Sequence, residues 1–165
     1  MICSQGGWAI YNIVRYFRAY MTYSSSTGLI VSLVLGTATT LSLAFLLTAS
    51  LLAYFRPYLL MHDVPLDYLL RIRDVLLYSS SFLLVAPALV SFALVFVWKN
   101  SPDTQLRLEN RCYLDIDVVW SISTTTCMNR QLSWSLLLLL SIIRVILTVL
   151  NIVRHSRLCI LWLSS

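Results

Sequence analysis

Three long stretches of the chain are almost free of charge, and they set the frame for everything else. Residues 29–53 are 25 residues without Asp, Glu, Lys or Arg. As a helix they would measure about 37 Å, more than the roughly 30 Å of a bilayer's hydrocarbon layer. Residues 75–98 form a second run, preceded by Arg73 and Asp74 and closed by Trp98 and Lys99. An indole beside a snorkelling ammonium marks the boundary between hydrocarbon and headgroups. Residues 132–153 form a third run whose single charge is Arg144, and it ends in the basic cluster Arg154, His155 and Arg157. This pattern predicts an all-α integral membrane protein with three transmembrane helices.

The segments between the runs read differently. In residues 1–28 the apolar and aromatic positions Trp8, Tyr11, Ile13, Val14, Phe17 and Tyr20 surround Asn12, Arg15 and Arg18. That distribution predicts an amphipathic helix lying in the headgroup layer, with residues 24–28 as the hinge into the first span. Residues 54–74 make a short loop in which Pro65 starts a helix capped by Asp63. Residues 99–131 form a polar loop far longer than an ordinary connection. Within it, residues 114–126 partly alternate (Ile116, Val118, Trp120, Ile122), which predicts a short strand or hairpin. Residues 154–165 are a basic tail.

Composition agrees with the hydropathy pattern and narrows the chemistry. Hydrophobic residues are 59% of the chain and charged residues only 12%, against about 25% charged in soluble domains. The net charge of +5 does not point to nucleic acid, because the basic residues stand singly at the ends of apolar runs, where they anchor to headgroups. With three spans, Lys and Arg number six on the side of the amino terminus and long loop, against five on the side of the first loop and carboxyl terminus. The second set is denser and closer to the span ends, which places it in the cytosol and the long loop outside. No sequence pattern of a hydrolase, metalloprotease or nucleotide enzyme occurs, so neither an enzymatic activity nor a cofactor is expected. His62, Asp63 and Asp67 give no secure metal geometry, and no metal is expected.

Four features remain as candidates for function. Cys112 and Cys127 share the long loop and can close a ring of about 15 residues, worth about 3 kcal/mol in an oxidising compartment; such a disulfide fits a plasma or secretory-pathway membrane better than the mitochondrial inner membrane. Ser32, Gly36, Thr40, Ala44 and Thr48 form a ridge of small residues at a strict spacing of four, suited to close helix packing within the chain or against another subunit. Pro87, midway along the second run, frees a backbone carbonyl and predicts a kink. Arg144 lies ten residues before Arg154, about 15 Å of helix and too far for easy snorkelling. Its counter-ion must be a loop carboxylate, a lipid phosphate or an acidic residue of another protein, since the three runs hold no Asp or Glu. Together these features predict a non-enzymatic subunit or interaction partner in a membrane complex, docking on a membrane protein or a second copy of itself. The alternatives are a small oligomeric channel or transporter with Arg144 on an anion path, and a fragment of a larger polytopic receptor.

Overall fold

The computed structural model describes residues 2–62, 65–103, 106–107, 116–121 and 133–163. Among the described residues five α-helices follow one another: α1 (Ile2–Thr22), α2 (Ser26–Tyr54), the short α3 (Arg56–Met61), α4 (Leu66–Val97) and α5 (Trp134–Leu163), with a 3-10 turn at Trp98–Asn100 closing α4. The segments Ser26–Tyr54, Leu66–Asn100 and Trp134–Val153 are each long and apolar enough to cross a membrane. They correspond to the three uncharged runs, with somewhat different ends.

The long helices pack in the order α1, α2, α4, α5, and α5 closes the ring by touching α1. α1 runs antiparallel to α2. Tyr23 lies on Gly28, while Tyr16 and Phe17 lie on Gly36. Farther along α1, Gln5 reaches Ser81 of α4, with 3.5 Å between its Nε2 and the serine Oγ. The helix predicted at the amino terminus is therefore present, and its buried face is Gln5, Ala9, Asn12, Tyr16, Ala19 and, just past its end, Tyr23. The spacings alternate four and three, the seam of a left-handed helix pair. α2 answers with Gly28, Ser32, Leu35, Thr39, Ser42, Leu46 and Ala49, again alternating four and three.

The seams are unusually polar. Gln5, Asn12, Ser32, Thr39, Ser42, Ser80, Ser91, Ser141, Arg144 and Thr148 are all buried, while Ile30, Val34, Leu47, Phe82, Phe96, Ile146 and Leu150 are exposed. This inversion suits helices whose outer surface meets hydrocarbon, where apolar side chains gain nothing by turning inward. The hydroxyls are satisfied locally: Ser32 donates to the Gly28 carbonyl at 2.8 Å, and Thr39 to the Leu35 carbonyl at 3.0 Å. Between α2 and α4 the two serines Ser42 and Ser80 bond reciprocally, each hydroxyl reaching the other's carbonyl, at 2.8 and 3.0 Å. Such mutual bonds need close backbones, and serine is small enough to permit them.

α4 runs as one helix through Pro87, which is buried in the bundle. Its start differs by one position from the expected one, because Pro65 has extended geometry (φ −63°, ψ 132°) and serves as the N-cap of a helix beginning at Leu66. Asp63 lies outside the described residues. At the other end, the predicted Trp98 and Lys99 boundary ties two helices together. Trp98 is buried, the Lys99 ammonium lies 4.3 Å from the Trp134 ring, and the Trp134 indole donates to the Val95 carbonyl at 3.3 Å.

Candidate functional site

Arg144 is 1% exposed and sits on the inner face of α5, about 15 Å along the helix from Trp134. Its guanidinium meets three partners from distant parts of the chain. It forms an ion pair with Asp117 of the long loop, Nη1 facing Oδ2. Its Nη2 donates to the Tyr16 hydroxyl at 2.7 Å and to the Asn12 side-chain carbonyl at 3.3 Å. Tyr16 in turn donates to Asp117 Oδ2 at 2.8 Å. The phenol oxygen therefore bridges cation and anion, accepting from one and donating to the other. Asp117 has no exposed surface, and its second oxygen accepts the Val119 N–H at 2.7 Å.

Trp120 completes the enclosure. Its ring lies 4.2 Å from the Arg144 guanidinium carbon, the distance of a cation–π contact, and 5.3 Å from that of Arg15. Tyr11 and Tyr16 meet the same ring edge-on at 5.2 and 5.5 Å. The delocalised, weakly hydrated guanidinium tolerates such an aromatic lid far better than an ammonium would.

The loop segment 116–121 is tied to the bundle at other points as well. The Val118 N–H donates to Ser91 of α4 at 3.2 Å, and the Tyr23 hydroxyl donates to the Val119 carbonyl at 3.1 Å. The segment is a turn closed by the Ser121 N–H on the Asp117 carbonyl at 3.1 Å, and no strand occurs among the described residues. The strand expected from the alternation of Ile116, Val118 and Trp120 is thus replaced over these residues by a buried turn. Its aspartate bonds its own backbone two residues on, as Asp in turns commonly does.

The other predicted residues fall in different places. Ser32 and Gly36 lie in the seam of α2, but Thr40, Ala44 and Thr48 are exposed on its outer side. A spacing of four advances about 40° per step around a helix, so over sixteen residues the ridge turns away from any one neighbour. Cys112 and Cys127 lie outside the described residues. Among the described residues no three side chains of metal-binding type come together. Asp117, Asn12, Tyr16 and Trp120 do not stand out as site residues in the sequence. The signal for Asp117 is a carboxylate between Ile116 and Val118 in an apolar stretch, with a lone arginine inside the third long apolar run in need of a partner.

A buried ion pair of this kind is costly unless its remaining hydrogen-bonding capacity is met, and here Tyr16 bonds both members, accepting from Arg144 and donating to Asp117. Tyr16→Phe should therefore destabilise the protein by about 1.5–3 kcal/mol, measured by thermal unfolding in detergent. An unchanged unfolding temperature would mean that the phenol bonds contribute nothing net. No protein-family model, curated protein or solved structure matches the chain.

Proposed function

We propose that the chain is a multi-pass integral membrane protein that acts as a non-enzymatic subunit or interaction partner in a membrane complex, with the long loop as its recognition element. The observation that carries this reading is the Asp117–Arg144 pair. It ties the middle of the loop into the bundle interior, and loops positioned on a rigid scaffold are where recognition residues concentrate. The same pair shifts the role of Arg144. Its charge is met within the chain, so it orients the loop and does not dock on a partner helix.

In this reading α1 is the fourth helix of the bundle. It accompanies α2 past Gly36 and contributes Asn12 and Tyr16 at the depth of Arg144, which favours bundle packing over a position in the headgroup layer. The long loop and the turn between α1 and α2 then face one side, outside the cell or in the secretory lumen. The chain's amino terminus, α3 and carboxyl terminus face the cytosol, and the partner is a membrane protein or a second copy of the chain.

The test is purification of the tagged protein in a mild detergent with identification of every co-purifying chain. A stoichiometric partner, or a defined homo-oligomer, is expected from the wild type, and its retention should fall in Asp117→Asn, which detaches the loop. A monomer with no retained protein overturns the reading. The row of buried polar side chains from Gln5 to Thr148 favours a second reading, a small channel or transporter. Anion flux in liposomes, abolished by Arg144→Leu, would be its signature.

A further inference from the structure

The short helix α3 is left uncovered by the rest of the described chain. None of its six residues is buried, and Tyr58, Leu60 and Met61 are exposed. The depth of α3 in a membrane gives these side chains a neighbour. α2 is 29 residues long, about 43 Å, the thickness of a bilayer with its headgroups. Entering one headgroup layer at Ser26, α2 reaches Tyr54 in the other, and α3 follows with only Phe55 between them. Tyr54, Phe55 and Tyr58 are all exposed at this elbow, and aromatic side chains collect at that level of a membrane.

An open cleft of about 440 Å³ lies in the elbow, lined by Thr48, Leu51, Leu52, Phe55, Tyr58 and Leu59. The Thr48 hydroxyl donates to its own helix, to the Ala44 carbonyl at 2.8 Å, so this wall is effectively apolar. A second cleft, of about 500 Å³, is lined by Tyr54, Phe55, Pro57 and Tyr58. Leu47 and Leu51 are exposed beside Thr48 on α2. They join the first cleft to the apolar flank of that helix, so its filling is continuous with the hydrocarbon. Arg56 stands between Phe55 and Pro57. It is exposed and pairs with no carboxylate among the described residues.

We propose that the elbow between α2 and α3 binds an acidic phospholipid of the cytosolic leaflet, with an acyl chain in the 440 Å³ cleft and the phosphate at Arg56. The proposal rests on the multi-pass reading with α3 at the cytosolic face, where anionic lipids attract basic residues next to a span. An apolar groove open to hydrocarbon with an unpaired cation at its rim complements a molecule with a chain and an anionic head. Tyr58 joins an apolar ring, which lines the cleft, to a hydroxyl able to donate to a phosphate or ester oxygen.

The test is native mass spectrometry of the tagged protein in mild detergent, titrated with phosphatidylglycerol or with phosphatidylcholine of the same chains. The wild type should hold a single phosphatidylglycerol at about a fivefold lower lipid concentration than phosphatidylcholine, the worth of one basic residue facing an anionic lipid. Arg56→Gln should erase that preference and leave phosphatidylcholine unchanged. Thr48→Phe, which fills the cleft from an exposed position, should weaken both lipids. Glycerol 3-phosphate, a phosphate without chains, should not compete. Both variants should unfold with the wild type in lipid-free detergent, since neither side chain is buried.

Equal retention of the two lipids by the wild type, a preference that survives Arg56→Gln, or lipid binding that ignores Thr48→Phe would each overturn the site. Loss of a co-purifying protein in Thr48→Phe with lipid binding unchanged would also overturn it, and would put the partner in the cleft. A chain that alkaline carbonate releases from membranes would overturn the multi-pass reading itself.

Discussion

Arg144→Leu should destabilise the protein by about 3–5 kcal/mol, the usual consequence of leaving one member of a buried ion pair without its partner. Asp117 is fully buried, and after the substitution its charge would be held by a phenol and a backbone N–H alone. Asp117→Asn should cost a similar amount for the mirror-image reason, since Arg144 is then a buried cation among neutral groups. The double variant Arg144→Leu with Asp117→Asn should recover most of the loss, because desolvation of both charges disappears with them. A double-mutant cycle in detergent reads this coupling directly. Additive effects would show that the two charges do not depend on each other.

The second large effect concerns two glycines of α2 that differ only in what faces them. A Cβ added at Gly28 would lie 2.7 Å from Cγ of Tyr23 and 2.9 Å from its Cε1. That ring is 5% exposed and its hydroxyl is bonded to the loop at Val119, so it cannot yield without releasing the loop. Gly28→Ala should therefore destabilise by about 1–3 kcal/mol, even though alanine is the better helix former. At Gly36 the added Cβ would meet Phe17 and Tyr16 at 3.5–3.6 Å, ordinary contact. Gly36→Ala should be neutral or stabilising by up to about 1 kcal/mol through helix propensity. Thermal unfolding of the two variants side by side should give shifts of opposite sign or nearly so. Equal destabilisation would mean that the close approach of Tyr23 is not the deciding contact.

The three long apolar helices could be read from the chain because more than twenty uncharged, mostly apolar residues in a row far exceed what one helix of a small soluble domain can bury. The helix faces could not, and α2 shows why. Its small residues at a spacing of four draw the eye to Thr40, Ala44 and Thr48, whereas the packed face follows Leu35, Thr39, Ser42 and Leu46. A seven-residue repeat drifts only about 20° from a fixed line on the helix, while a four-residue repeat drifts about twice that at each step. In α1 the polar Asn12 groups by composition with Arg15 and Arg18. The fold separates them, burying Asn12 and leaving Arg18 exposed. The need of Arg144 for an anionic partner follows from the lack of Asp and Glu in the three uncharged runs, which leaves a loop carboxylate, a lipid phosphate and an acidic residue of another protein all open. That it would be Asp117 depends on a turn of the long loop descending into the bundle, and no local pattern announces such a path.

The position of Arg144 in the last long helix also orders the protein's biosynthesis. Among the described residues, every side chain that neutralises or bonds its guanidinium lies upstream: Asn12 and Tyr16 precede it by 132 and 128 residues, and Asp117 comes before α5 begins. Because earlier segments emerge and fold first, α5 can pack against a receptacle already made for its cation. A permuted gene that translated α5 first would leave its guanidinium bare until that receptacle had formed.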